Sequence, residues 1–304
     1  MVTAQKEPSF WMIVALVQSL LWAFGLPLFC RPYWDSMFGS YSNDTAEFII
    51  NMTPPLFFCV YCLILLPVYY IQHPFFEQYK IQREKPWPWL DEKDNIRRAF
   101  WILTRRSLKL AAINLFCLLP LLSILKIRTA TNLGLSPPSF DTDDDSWPTL
   151  QKGLQDLLLL SLTHEFGFYS SHRLMHAYPS LYKYHKIHHE YKSNTVLAAQ
   201  HNHFVDFILS IGLPSAFAVL IVDCHSFTQF QWILWTLHAN LDDHVGYSFP
   251  WSPVRWFPFA ALTDEHEFHH SKNLGCFGSK LTVFNSIFGG YEYYRPWVEK
   301  RKQI

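Results

Sequence analysis

Between positions 10 and 29 the chain carries no charged side chain. Twenty apolar residues in an α-helix cover a hydrocarbon core of ~30 Å. The run is too long for the core of a signal peptide, and Cys30-Arg31-Pro32-Tyr33 follows it where a small-residue cleavage site would stand. It reads as a retained anchor. Residues 48–71 form a second uncharged run, with Pro54, Pro55 and Pro67 as tolerable kinks. Residues 110–125 form a third. Residues 154–171 form a fourth, with Asp156, His164 and Glu165 embedded in it. The stretches 207–222 and 227–237 are shorter and read as a helical hairpin turning at Asp223-Cys224-His225. The expected fold is all-α and polytopic: about four transmembrane helices and a shorter hairpin, under a cytoplasmic helical cap.

Charge between the runs sets the orientation. Residues 72–109 carry Lys80, Arg83, Lys85, Lys93, Arg97, Arg98, Arg105, Arg106 and Lys109. Residues 30–47 carry only Arg31, and residues 126–150 set Lys126 and Arg128 beside Asp141, Asp143, Asp144 and Asp145. The basic loop belongs in the cytoplasm. Alternation then puts residues 172–204 and 238–304 on that same side. Asn43-Asp44-Thr45 is a glycosylation sequon in an expected lumenal loop. The tail Lys300-Arg301-Lys302-Gln303-Ile304 fits a cytosolic K-x-K-x-x retrieval pattern, which points to the endoplasmic reticulum membrane.

With 25 basic against 25 acidic residues, the chain lacks the basic surplus of a nucleic-acid binder. Its charged fraction of 16% falls below the quarter or so usual for soluble globules, as membrane runs require. Six cysteines in 304 residues are no disulfide framework, and Cys59-Val-Tyr-Cys62 sits mid-run as inert apolar matter.

Fourteen of the 15 histidines fall between His164 and His270. His172 and His176 are four residues apart and share one helical face. His185, His188 and His189 repeat that spacing, as do His266, His269 and His270. Neutral imidazole is the commonest metal ligand and suits iron, zinc or copper. Packing so many rings as plain core would leave many buried polar nitrogens to satisfy. Eight rings in three clusters are too many for one ion and suit two. His244 and His203 are further candidate ligands, and His238 is a weaker one; His73, His201 and His225 read as solvated or locally satisfied. Glu165, Glu190, Asp206, Asp242 and Asp243 are the acids expected to accept the distal N–H of a ligand ring. Two other readings stay open. His266-Glu267-x-x-His270 matches a zinc-protease helix with Glu267 as base. A non-catalytic metal-binding membrane protein would also carry such rings.

The three clusters, H-x₃-H, H-x₂-H-H and H-x₂-H-H, resemble those of the fatty acid hydroxylase / sterol desaturase superfamily. Glu165-Phe-Gly-Phe-Tyr-Ser-Ser-His172 is similar to that family's lead into its first box, and Tyr182-Lys-Tyr-His185-Lys-Ile-His188-His189-Glu190 to its second. Asp243-His244-Val-Gly246-Tyr247 resembles the His-Ser-Gly-Tyr segment of the branch with cholesterol 25-hydroxylase and C4-methyl sterol oxidase. The block from His266 through Gly275-Cys-Phe-Gly-Ser279 to Ile287-Phe-Gly289 resembles that branch's C-terminal block. Coverage is about residues 150–295, so the resemblance makes 131–304 the catalytic domain and 1–130 a transmembrane region. Glu165, Ser170, Val245 and the segment His201-Asn-His203-Phe-Val-Asp206 depart from the family pattern; His203 takes the place of that segment's family histidine. The resemblance implies two non-haem irons, with zinc possible in purified material, and O₂ as co-substrate. It further implies oxidation of a lipid C–H bond, sterol first and fatty-acyl second. Electrons would come from cytochrome b5 or its reductase, since no flavin or nicotinamide fingerprint is present.

Overall fold

The computed structural model describes residues 8–135, 147–256 and 259–302. The acidic run 141–145 and tail residues Gln303 and Ile304 lie outside them. The described residues form helices and no strands. In chain order they are α1 (Pro8–Leu20), α2 (Leu26–Phe38), α3 (Asn43–Asn51), α4 (Thr53–Ile71), α5 (Pro74–Glu77), α6 (Asp94–Ile113), α7 (Leu119–Asn132), α8 (Leu150–Ala177), α9 (Pro179–His185), α10 (Phe204–Asp206), α11 (Leu213–Ile221), α12 (Ser226–Asp242), α13 (Thr263–Lys272), α14 (Val283–Phe288) and α15 (Tyr294–Lys302).

Four helical stretches are long and apolar enough to cross a membrane: Phe10–Trp34, Thr45–Ile71, Asp94–Asn132 and Phe204–Ile221. Their outer faces are apolar, with Leu28, Leu56, Leu63, Ile64 and Ile71 all more than half exposed. The chain is a multi-pass membrane protein. Two details differ from the sequence expectation. The third span is not confined to 110–125 but runs 39 residues, from Asp94 to Asn132. At 1.5 Å per residue that is roughly 58 Å, well beyond the ~30 Å core. Arg97, Arg98, Arg105 and Arg106 therefore sit on the span's own helix and not in a loop. The run 154–171 is helical throughout but is not among those four stretches. That run belongs to α8, whose Asp156, His164 and Glu165 are buried inside the bundle. The first limb of the hairpin is the apolar one.

Three of these long helices are continued through a wide, π-type turn: Leu21–Gly25, Asn114–Leu118 and Phe207–Gly212. Each turn ends two residues before a proline: Pro27, Pro120 and Pro214. Proline lacks an N–H and its ring collides with the carbonyl four residues back. A locally widened turn absorbs both defects without ending the helix. α8 and α11 then pack closely, because a Cβ on Gly167 would stand 3.1 Å from Pro214.

The hairpin reaches the far end of the bundle. Lys152 Nζ, in the first turn of α8, donates to Asp223 O at 2.9 Å and to both oxygens of Asp156. Trp34, Phe38, Phe227 and Trp147 pack at this end. At the other end, residues 72–93 fold over the histidine segments. Ile81 N donates to Gly246 O at 3.0 Å, Ser248 N to Tyr79 O at 2.8 Å, and Gln82 Nε2 to Lys192 O at 2.7 Å. The first part of the basic segment and all three histidine clusters thus share one end of the molecule. The sequon's backbone forms the first turn of α3, where Ser42 Oγ caps Thr45 N at 3.4 Å.

Gly246 ties the loop 72–93 to the histidine segments. Its φ of +74° is left-handed, and a Cβ there would stand 2.5 Å from Asn194 O and 3.0 Å from the Trp87 ring. Gly246→Ala should cost about 2 kcal/mol or more from backbone strain and overlap. In a detergent melting experiment it should lower Tm by several degrees. Gly153→Ala, a helical position with nothing within 4 Å of the added Cβ, should not.

A candidate dimetal centre

The last turns of α8 carry His172 and His176, whose rings lie one turn apart at 5.0 Å. α9 and the short turn after it carry His185, His188 and His189. The end of α12 leads into His244, and α13 carries His266, His269 and His270. These nine rings converge in two groups. In the first, one nitrogen each of His172, His176, His185, His189 and His269 lie within 4.8 Å of one another. The second holds His188, His244, His266 and His270 in the same way. All are buried except His176, which is partly so.

Hydrogen bonds decide which nitrogen faces inward. His172 Nδ1 donates to Phe277 O at 2.8 Å, His269 Nδ1 to Gly275 O at 2.6 Å, His244 Nδ1 to Asn240 O at 2.7 Å and His270 Nδ1 to Tyr191 O at 3.3 Å. A carbonyl oxygen only accepts, so the proton is on Nδ1 and Nε2 presents a bare lone pair. His185 Nδ1 is fixed the same way by Asp206 Oδ2 at 3.1 Å. Yet Nε2 of His172 stands 3.0 Å from Nε2 of both His185 and His269. Between such nitrogens there is no proton to share.

A second proton on the His172, His244, His269 and His270 rings is not available either. Burial, the largest cause, lowers His172 to about 3 and His244 to about 4. Burial and the neighbouring rings hold His189, His266, His269 and His270 well below their ordinary value. Neutral rings with lone pairs pointed at one another need a cation between them. Nδ1 of His188, His189 and His266 and Nε2 of His176 also lack any partner. The donor set therefore fits two metal ions with imidazole-rich ligation, a set suited to iron or zinc.

The remaining sequence candidates are placed elsewhere. His203 is in neither group: its Nδ1 accepts from Val205 N at 3.2 Å as the cap of α10, and its ring lies against Tyr184. His238 is in neither group and packs edge-on to Tyr61. Of the five acids, Asp206 alone bonds a clustered ring. Glu190 pairs with Arg106 at 2.7 Å and with His201 at 3.1 Å. Glu165 accepts from Ser279 N and Lys280 N, so it steadies the loop whose Phe277 carbonyl holds His172. Asp242 accepts from Ser252 and Thr263, joining the end of α12 to the start of α13. Asp243 is buried and makes no hydrogen bond to a clustered ring. Four of the five groups that orient the rings are backbone carbonyls, which residue identity does not advertise. One signal was present: Gly275 has φ +57°, and a Cβ there would meet Gly290 O at 2.3 Å, so the loop after the third cluster can only be built on glycine.

Comparison with known proteins agrees with this arrangement. The fatty acid hydroxylase family model matches residues 157–290. Methylsterol monooxygenase 1 of Danio rerio is 30% identical over 232 residues, 75% of this chain and 73% of its own length. The chain belongs to the fatty acid hydroxylase family and is an oxidoreductase. Methylsterol monooxygenase 1-1 of Arabidopsis thaliana is 26% identical over 285 residues, 88% of each chain. Methylsterol monooxygenase 1 of Rattus norvegicus is 27% identical over 248 residues, 81% of this chain and 78% of its own. No solved structure gives a significant match. The zinc-protease and non-catalytic readings fall here. Glu267, which the protease would use as base, is buried and accepts from Gln82 of the 72–93 segment.

Two outcomes follow. Asp206→Asn keeps the shape of the carboxylate but weakens its grip on His185, and should lower metal affinity about 10- to 100-fold, read by competition with a chelator; His203→Ala should leave it unchanged. Metal-free protein should lose stability as pH falls below about 6.5, because unfolded imidazoles then bind protons that the folded, depressed rings refuse. Urea titrations of the metal-free protein between pH 7.5 and 5 should show a midpoint nearly constant at the upper end and falling steadily below about 6.5.

Proposed function

We propose that this chain is a di-iron oxygenase that oxidises a C–H bond of a membrane lipid, a sterol in the first instance. The observation that carries the reading is the convergence of lone-pair Nε2 atoms in two adjoining groups. Nine imidazoles would hold the two ions: His172, His176, His185, His189 and His269 one, His188, His244, His266 and His270 the other. Bound iron would supply the reduction of O₂ and the attack on an unactivated C–H bond, which side chains alone do not provide.

The chain's own residues do the rest. Phe277 O, Gly275 O, Asn240 O, Tyr191 O and Asp206 hold each ring in one tautomer and one direction. An apolar cavity between α7, α8, α11 and α12 leads toward the clusters, lined by Leu119, Leu122, Phe207, Val219, Trp232 and Leu237. Its wall includes Phe168, whose ring lies 5.2 Å from that of His172, and Asn240, whose carbonyl holds His244. A lipid entering between the helices would bring a carbon to the clusters with little water beside it. The void measures about 150 Å³, less than a sterol needs, so entry requires the lining helices to part. The curated relatives, named as methylsterol monooxygenases, support the sterol. The basic segment 72–109 reaches the clusters' end through Gln82 and Arg106, which supports a cytoplasmic active face. In this reading the membrane is that of the endoplasmic reticulum, where a cytochrome b5-type donor would deliver the electrons.

Protein purified with iron should hold about two ions per chain, one for each ring group. Supplied with a methylated sterol, O₂ and a reducing system, it should transfer oxygen-18 from labelled O₂ into the product. His188→Ala and His269→Ala should each abolish transfer and lower the metal content. Full metal content with no incorporation from any sterol would overturn the sterol assignment. One ion, unaffected by His188→Ala, would overturn the two-metal assignment.

A further inference from the structure

α12 has a second cavity on its other face, which the oxygenase reading leaves unused. Leu234, Trp235, His238 and Asp242 line it, whereas Gln229, Ile233, Leu237 and Asn240 line the cavity that approaches the clusters. At roughly 100° per residue the two sets fall on opposite sides of one helix. The second cavity lies between α12, α4 and the wide turn after α1, and Trp22, Phe57 and Trp251 wall it. Its volume is about 660 Å³, against about 150 Å³ for the first, and falls within the range of small-molecule sites. None of the nine clustered rings lines it.

The cavity faces the bilayer. Leu21 and Phe29, in the stretch Phe10–Trp34 that can span a membrane, line it and are 62% and 69% exposed. Inside, the polar groups are few and incompletely matched. His238 and Asp242 stand one turn apart on the same face of α12. His238 Nε2 is buried and has no partner. Asp242 is buried, and its bonds from Ser252 and Thr263 both reach Oδ2. Among the described residues the lining carries no Lys or Arg, so a phosphate or carboxylate headgroup would meet Asp242 with no counter-charge. A hydroxyl both donates and accepts, so it suits the ring in either tautomer and the carboxylate beside it. The walls are broad rings: Trp22 lies 4.7 Å from Trp235, and Phe249 stacks on Trp251 at 4.7 Å. A rigid ring system loses little freedom between such faces, whereas an acyl chain gives up many rotamers.

We propose that this cavity is an accessory site for a hydroxylated polycyclic lipid of the surrounding bilayer, a sterol whose hydroxyl is held by His238 and Asp242, separate from the substrate. The proposal goes beyond the oxygenase reading and does not rest on it, since it uses no residue of the ring groups. His238 and Asp242, which bond no clustered ring, then share one ligand. Asp242 also ties the end of α12 to Thr263 at the start of α13. An occupant therefore bears on the two helix ends that carry His244 and His266.

The test is photolabelling of the full chain in phosphatidylcholine nanodiscs, with a sterol bearing a free hydroxyl on its first ring and a diazirine on its second. The matched probe is its methyl ether. The hydroxyl probe should label peptides within 18–29, 57–61 and 234–253, and the ether should label them about tenfold less. His238→Phe keeps a ring but removes its nitrogens; it should cut labelling of these peptides by the hydroxyl probe by a similar factor and leave the ether unchanged. Gly25→Leu should also cut it, because Gly25 lines the cavity and its added Cβ would meet only Leu21, at 3.4 Å. Labels within 115–126 and 164–168, from the first cavity, should survive both substitutions. Bound metal per chain reports that each variant is folded. Labels confined to the first cavity would overturn the proposal, as would equal labelling by the two probes. Displacement of the hydroxyl probe by excess fatty acid would overturn it in favour of an acyl lipid. Labels in the second cavity with none in the first would uphold it and remove the sterol reading of the metal centre.

Discussion

The structure depends on where five protons are held. Phe277, Gly275, Asn240 and Tyr191 offer carbonyl oxygens, and Asp206 a carboxylate, to the outward nitrogens of five buried imidazoles. Once those nitrogens donate outward, the inward ones have only lone pairs to show. Similar lone pairs 3 Å apart in a dry interior repel one another, and on His172, His244, His269 and His270 burial disfavours the proton that would relieve them. Much of the surrounding chain holds this arrangement in place. Glu165 fixes the backbone of Ser279 and Lys280 just beyond Phe277, and Tyr169 Oη donates to Gly289 O at 2.9 Å. Tyr69 accepts from Val196 N and donates to Val245 O, beside His244.

A scaffold this constrained sits on long helices that do not break. Each of the three wide turns precedes a proline by two residues, and each lies in a stretch that has to remain helical to keep its backbone bonded in lipid. The third span also extends past its apolar run into basic residues. Arg106 of α6 reaches Glu190, which in turn holds His201, and Ser107 bonds both Tyr191 and His201. This cationic helix thereby buttresses the turn carrying His188 and His189.

The architecture was legible in the sequence because hydropathy and histidine spacing are both periodic signals. The uncharged runs, the helical hairpin and the three box clusters stand in the structure as helices at or near their expected places. The boundaries were less legible. An apolar count stops at charges, whereas α6 continues through Arg105, Arg106 and Lys109 because nothing there breaks a helix. The fourth run shows the opposite case: α8 runs the length of the bundle from Lys152 to His176, and it carries Asp156, His164 and Glu165 because they face protein while Leu158, Leu159 and Phe166 face outward. The orienting acids were misjudged for a third reason. Glu165, Glu190, Asp242 and Asp243 stand close to the boxes in sequence, but the acceptors that reach the rings are mostly backbone, set by the path of the loop after α13. His203 shows the same limit: a histidine two residues before a backbone N–H is an ordinary helix cap, and spacing alone does not separate a cap from a ligand.

The way the clusters interleave has a consequence for assembly. His185 and His189, four residues apart, share the first ring group, while His188 between them joins the second. His266 and His270, again four apart, share the second group, while His269 joins the first. Each group therefore draws on both clusters: His172 and His176 of α8 complete the first, and His244 after α12 completes the second. Such crossing makes the two sites interdependent: a displacement of α13 moves donors of both groups together. It also fixes their relative position through short covalent links, His188 to His189 and His269 to His270, and not through flexible side chains. For chemistry that needs two metals at a set separation, adjacent residues feeding different groups are a direct way for a polypeptide to impose it.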